Sequence, residues 1–349
     1  MKNDLTCAVV RDLLPSYAEG LTSPETNEAV ERHLTDCPDC TARLTAMQAP
    51  EEAPPPESDR EVDYLKTVKR KTGRRVVLAI LCTVLLIGAV LAAKVFLIGS
   101  PASPDTMAAR TRTEDGMLWV EVSSVASGNA WWGWDTEVEK GIVRITAREG
   151  LVSVFHPTAS GKVGIPLEGL EEVYLCGRLI WQDGMEISPD TWALMKARTP
   201  YVGNASALNR ITQALYNRIP APYTMELKTS ARPYRWTLVY PEDLFLNGYA
   251  RDAASLDARL VSLAPVLLAL VDNLDEIAWT YPDSDGQMQS HVVTCEEATA
   301  ALADQVAAYN AANGTDWEAP ESVKDCASSP AALQRLVILS EFWLDGTSA

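Results

Sequence analysis

VVLAILCTVLLIGAVLAA, residues 76–93, carries no charged side chain, and beyond Lys94 the apolar run continues as VFLI to Gly99. A helix rises about 1.5 Å per residue, so roughly 20 such residues cross a hydrocarbon layer about 30 Å thick. The stem of Lys94 is long enough to carry its ammonium to the interface. The run therefore predicts one transmembrane helix over residues 76–98. A signal peptide would start nearer Met1 and have a shorter apolar core. Lys66, Lys69, Arg70, Lys71, Arg74 and Arg75 crowd the N-terminal flank, whereas nothing basic lies between Lys94 and Arg110 on the other. By the positive-inside rule the N-terminus is cytoplasmic and the C-terminal part extracytoplasmic, in a single-pass plasma-membrane protein that contacts lipid. A second apolar stretch, Leu260 to Val271, is too short to cross and contains Pro265, so it reads as a core helix.

Charge supports this division. Of 349 residues with a net charge of −17, residues 66–75 hold six basic and no acidic side chains, and the chain on either side is acidic. Phosphate backbones need clustered positive charge, and the one cluster here abuts the apolar run. Direct nucleic-acid binding is excluded on that ground. The seven cysteines fall into three groups: Cys7, Cys37 and Cys40 near the start, Cys82 in the span, and Cys176, Cys295 and Cys326 beyond it. That pattern suits metal-binding thiolates inside and a disulfide outside.

Residues 4–48 read as three short helices. The first, Leu5 to Tyr17, puts Val9, Leu13 and Tyr17 on one face and ends at Gly20. The second opens at Ser23-Pro24-Glu25, an N-cap with proline at the first helical position, and runs through Val30, His33 and Leu34. A third begins near Cys40 and carries Leu44 and Met47. His33, Cys37 and Cys40 form H-x3-C-x2-C; positions four apart share a helix face, and the Pro38-Asp39 turn brings Cys40 back toward them. Zinc takes four nitrogen or sulfur ligands in a tetrahedron, and Cys7, on a helix that must pack against the second, is the natural fourth. Forty residues with so few apolar side chains need such a staple to fold.

Cys7, the LLPSYAEG that follows its helix's first turn, and VERHLTDCPDC resemble the zinc-finger domain of bacterial zinc-binding anti-sigma factors. The resemblance covers residues 4–48, including the spacing from the first cysteine to the histidine. It implies a helical domain that clasps a group IV (extracytoplasmic-function) sigma factor and hides the surfaces that factor uses on core RNA polymerase. Membrane-bound members have one span and an outer sensory domain. The family usually continues the clasp with a further helix, whereas here the proline-rich APEEAPPPESD follows. A helix resumes at Asp59 to Thr72, with Val62, Leu65 and Val68 along one side, either to complete the clasp or to anchor on anionic lipid.

Beyond a stalk at residues 99–115, residues 116–190 read as a β-rich subdomain in which MLWVEVSSV, GIVRITA, LVSVFHP and EEVYLCGRLIW are strands. Residues 191–349 mix helices (Ala205 to Tyr216, Leu256 to Asn273, Cys295 to Asn313, Ala331 to Phe342) with strands in MELKTS, RWTLVYP and EIAWTYP. The fold class expected is thus multi-domain: a small all-α zinc-binding domain (1–48), a linker with a basic juxtamembrane helix (49–75), one span, and an α+β extracytoplasmic domain. KARTPYVGNAS, LKTSARPYRWTLVY and LLALVDNLDEIAWTY, across residues 195–285, resemble an uncharacterised extracytoplasmic domain found behind such zinc fingers or behind sensor-type membrane metallopeptidases. That resemblance implies no chemistry. Trp131, Trp132 and Trp134 in SGNAWWGWD read either as a ligand or interface patch or as a hairpin tip within the core. Cys295 and Cys326 are candidates for a disulfide, and Cys176 reads as a buried strand thiol.

No H-E-x-x-H, G-x-S-x-G or Walker loop is present, so an enzyme is not expected. The expected function is a transmembrane anti-sigma factor acting by sequestration, with an outer signal exposing the stalk to a site-one protease and intramembrane cleavage releasing the complex. Two other readings use the same residues. One is a receptor or adhesion module whose finger grips another cytoplasmic protein, and the other is a redox sensor in which Cys7, Cys37 and Cys40 release zinc on oxidation.

Overall fold

The computed structural model describes residues 5–50, 59–125, 128–248, 250–283 and 285–347, with backbone alone at 59–68 and 345–347. The chain divides into two compact units, Met1–Leu85 and Leu86–Ala349.

The first unit opens with three helices, α1 (Cys7–Ala18), α2 (Pro24–Asp36) and α3 (Pro38–Gln48). Local chemistry sets their ends. Ser23 accepts from the Thr26 amide and Pro24 supplies a preset first helical residue. Gly20 takes the left-handed conformation (φ +69°) that a side chain resists. Val10, Leu14, Val30 and Cys40 are fully buried, with Leu13, Tyr17, Leu34 and Leu44 around them. The expected α1 face is corrected: Val9 is exposed and Val10 and Leu14 face the core. Paired apolar residues at 9–10 and 13–14 fit two helical phases; packing centres the buried face on Val10 and Leu14, with Leu13 and Tyr17 of the expected face partly buried at its edge.

Residues 51–58, most of the proline-rich stretch, lie outside the described residues. Helix α4 then runs unbroken over Asp59–Ala93 and closes with a π-helical turn at Lys94–Ile98. The side expected at Val62, Leu65 and Val68 lies outside the described side chains. Among the described residues, two helical segments are long and apolar enough to cross a membrane: Lys69–Ile98, whose apolar window is 0% buried, and Ala253–Leu270, whose window is 61% buried. Burial marks the second as a core helix, as its length and proline suggest.

In the second unit the residues expected as a free stalk are folded. Ser100–Pro101 form β1, a 3-10 turn spans Pro104–Thr106, and Met107–Glu114 form β2. The physical reason is pairing: β2 is antiparallel to β3 (Met117–Ser124) in full register, and β1 lies against β5 (Ile142–Leu151). With β4 (Asn129–Glu139), β6 (Ser160–Pro166), β7 (Glu172–Leu175), β8 (Arg178–Gln182) and β9 (Met185–Glu186), these strands form a three-stranded sheet β2-β3-β6 and a sheet β1-β5-β7-β8-β9 with β4 also on β5. Their shared core holds Leu118, Val120, Val143, Ile145, Leu175 and Trp131.

Three strand expectations change. LVSVFHP continues β5 for one residue and then leaves the sheet as a loop with Val152, Val154 and Phe155 exposed. EEVYLCGRLIW is a hairpin, and Cys176 and Gly177, both at positive φ, form its turn, so Cys176 is not a strand residue. SGNAWWGWD, with no strand assigned from sequence, supplies β4.

A second core organises the rest. Helices α5 (Pro189–Ala197) and α6 (Ala205–Ala214) precede β10 (Thr224–Lys228) and β11 (Arg235–Val239); α7 (Ala253–Leu270) crosses to the parallel β12 (Glu276–Pro282), and β13 (Met288–Thr294) completes the sheet. Helices α8 (Cys295–Asn313) and α9 (Pro330–Thr347) follow. Helix α7 packs as a nearly continuous apolar cylinder, buried from Ser262 to Leu270. Its C-terminal carbonyls are met by Lys324, whose Nζ donates to Leu268 O, Val271 O and Leu274 O at 2.5, 2.6 and 2.8 Å. Burial pushes that ammonium's pKa below the usual lysine range. The mixture of α and β elements agrees with the sequence reading.

Candidate metal centre

Three helix ends build the site. Cys7 is the first residue of α1, His33 lies in the last turn of α2, Cys37 is both the C-cap of α2 and the N-cap of α3, and Cys40 sits in the first turn of α3. The four-residue step from His33 to Cys37 keeps both on one face, and Pro38 starts the reversal that returns Cys40. One ligand atom from each of the four residues lies within 4.8 Å of the others. Cys7 Sγ and Cys37 Sγ are 3.8 Å apart. Two sulfurs bound at about 2.3 Å to one tetrahedral ion stand about 3.8 Å apart, so this edge matches a zinc tetrahedron.

The surroundings fit a metal as well. His33 Nε2 is buried without a hydrogen-bond partner, an unfavourable state for an imidazole nitrogen unless its lone pair meets a cation. The Cys37 thiol is lowered to about 7, chiefly by the Cys40 backbone N–H and then by the Cys40 side chain. Cys40, fully buried, is pushed upward by desolvation and by Cys37. One easily ionised thiol beside a reluctant one is what several thiols crowded together without a cation show, and zinc removes the conflict by holding all as thiolates.

The other expected sites come apart. Cys295 and Cys326 are free thiols in this structure, so the expected disulfide is not formed. Cys295 Sγ, at the start of α8, donates to Leu274 O at 3.2 Å, while Cys326 is buried in the turn before α9 and its thiol is pushed up to about 12 by burial. Nor do Trp131, Trp132 and Trp134 make an exposed patch. Trp131 is 2% exposed in the β core, Trp134 packs against that core, and Trp132 stacks on His156 at 3.7 Å.

One cluster went unread in the sequence. Asp257 of α7 accepts from Trp279 Nε1 at 2.7 Å and Tyr281 OH at 2.8 Å, and His291 Nε2 stands 3.4 Å from the same carboxylate. His291 faces Trp279 across β12 and β13, a pairing visible only once β13 is recognised. Four hydrogen-bonding side chains here fasten α7 to the sheet.

The comparisons agree with the two-part reading. Residues 7–41 match the family described as "Putative zinc-finger", and residues 194–294 match a domain of unknown function, DUF4825. The N-terminal segment defines a small helical zinc-finger domain, and zinc is the metal that its donor set fits. Among characterised proteins, the chain is 41% identical over 59 residues to the Anti-sigma-YlaC factor YlaD of Bacillus subtilis (strain 168). That alignment covers 17% of this chain and 58% of the relative. No solved structure matches.

Proposed function

We propose that this protein is a zinc-dependent, membrane-anchored anti-sigma factor. Zinc held by Cys7, His33, Cys37 and Cys40 fixes α1 to α3 in the arrangement that grips a group IV sigma factor on the cytoplasmic side. The segment Lys69–Ile98 crosses the membrane once, and the unit beyond it receives the signal. The observation that carries this reading is the convergence of four soft donors in a segment similar to a known anti-sigma factor. The absence of any buried residue in the apolar window of Lys69–Ile98 supports the membrane role, since water would not tolerate so long an uncovered stripe. If release proceeds by proteolysis, β1 and β2 must first unpair, because a protease needs an extended strand that the sheets here already hold. Purification of the full chain from membranes tests the proposal. The expected result is a co-purifying sigma factor that is lost in Cys37→Ser, and its absence with zinc fully bound sinks the reading.

A second reading has a specific observation in its favour. Cys7 is exposed, lies 3.8 Å from Cys37, and Cys37 ionises near neutrality, which are the conditions for thiol oxidation with zinc loss. Zinc content before and after mild peroxide decides it: retained zinc removes the redox role and leaves the anti-sigma reading intact.

A further inference from the structure

Gly150 to Gly161, GLVSVFHPTASG, contains no acidic residue, lysine or arginine, in a chain of net charge −17. Its apolar residues do not enter the core. Leu151, Val152, Val154 and Phe155 are 47%, 45%, 90% and 62% exposed. A turn closed by Ser153 N on His156 O, with Ser153 Oγ accepting from the Phe155 and His156 amides, puts Val154 and Phe155 at the tip. Water-exposed loop tips are ordinarily polar, so a fixed apolar tip needs a partner.

The position of the loop says which partner. Strand β5 is antiparallel to β1, pairing Glu149 with Ser100, so each further residue of β5 runs back along the chain toward the apolar helix. Gly150 lies against the carbonyl of Val95, and an added Cβ would collide with it. Leu151 shares the wall of an open cavity of about 280 Å³ with Lys94 and Val95. The loop beyond leaves the sheet at the level of the last turn of the helix, where Leu97 and Ile98 are also exposed.

The joint that holds it there is specific. Arg148 Nε donates to Ile98 O at 2.6 Å, and Lys94 Nζ to Gly99 O at 2.8 Å. The Trp132 indole fills the notch that Gly99 and Gly150 leave, with a Cβ on either approaching it to 2.6 Å, and stacks on His156 of the loop. Trp132 thus couples the helix exit to the loop.

We infer that the 151–155 loop is a second membrane contact: its apolar tip enters the headgroup and upper acyl region of the outer leaflet beside the transmembrane helix. The occupant of this face is lipid, because the surface is continuous with the apolar helix and presents no charge to a protein partner. The inference rests on the reading of Lys69–Ile98 as a membrane span.

Four phenylalanines in the chain make the test direct. The full-length protein carrying 4-fluorophenylalanine is placed in phosphatidylcholine–phosphatidylglycerol nanodiscs, and the fluorine signal of Phe155 is assigned by its loss in Phe155→Leu. The expected result is broadening of Phe155 several-fold greater with 5-doxyl lipid than with an aqueous gadolinium chelate, and reversal of that order in Val154→Asp. Phe245, packed edge-on against Tyr281, reports that the fold is intact. Broadening of Phe155 by the chelate alone, with Phe96 still responding to doxyl lipid, overturns the loop contact and leaves the span standing. If Phe96 too responds only to the chelate, the span itself fails and the loop inference with it.

Discussion

The two units reach stability by different means. The N-terminal one fully buries Val10, Leu14, Val30 and Cys40, and one of these is itself a candidate metal ligand. The C-terminal one encloses a large core, in which Trp236, Trp279 and most of α7 are removed from water, and a further one under its first two sheets. So small a core cannot offset the entropy of ordering three helices, whereas the larger cores can. The four-donor site supplies in the first unit what apolar area supplies in the second.

The largest expected effect separates them. Chelation, or Cys37→Ser, removes zinc binding on the order of 10 kcal/mol and with it the fold of residues 7–48. All ten tryptophans lie after residue 98, so near-ultraviolet circular dichroism of the second unit stays constant while helical signal from the first is lost. Acid acts in the same direction: Cys37, with a metal-free pKa of about 7, takes up a proton as pH falls through that value. Zinc affinity is expected to fall as pH falls, already on the alkaline side where the upward-shifted Cys40 thiol holds its proton and more steeply below about 7 where Cys37 does as well, as read by competition with a chromogenic chelator. Zinc retained at full affinity down to pH 5 contradicts this.

Within the second unit the effects are those of packing. Trp236→Ala, at a residue 0% exposed, is expected to cost about 3–5 kcal/mol in denaturant unfolding while zinc content stays unchanged. Lys324→Met removes three charge-assisted bonds at the end of α7, leaving Val271 O with the Leu274 amide alone and Leu274 O with Cys295 Sγ alone, and a loss of about 2–3 kcal/mol is expected. Thermal melts of the pair in parallel give the ranking, and an unshifted Lys324→Met melt refutes the capping role. Smallest is Thr294→Ala. It breaks the capping box in which Thr294 accepts from the Glu297 amide and Glu297 accepts from Thr294 N, for about 1 kcal/mol. The Thr294 backbone N–H and then its hydroxyl, both donating to Glu297 Oε2, hold the Glu297 carboxyl below its ordinary range, so that contribution is present above the unfolded glutamate pKa and is lost as pH falls through the folded one. The Thr294→Ala cost is therefore expected to shrink in acid.

What the sequence by itself determined is whatever depends on neighbours in the chain. The apolar run at 76–98, the H-x3-C-x2-C spacing, the Ser23-Pro24 start and the bounds of α8 follow from helical geometry and local hydrogen bonds. Cys7 as the fourth donor needed only one packing step. Tertiary structure decided what depends on partners distant in sequence. Strand alternation at LVSVFHP matched a β pattern, yet beyond Leu151, which pairs with Asn129 of β4, the segment leaves the sheet and is an exposed loop. Residues 100–114 look like a tether because Pro and Ser interrupt any helical period and Ala has little strand preference, but β3 and β5 offer backbone partners and the tether folds. The tryptophans of SGNAWWGWD are equally apolar in the sequence; the faces of β4, and the notch between Gly99 and Gly150, assigned Trp131 to the core and Trp132 to the joint. Helices carry their own hydrogen bonds and so can be read from one stretch of chain, while strands and clefts are completed by residues that the stretch does not contain.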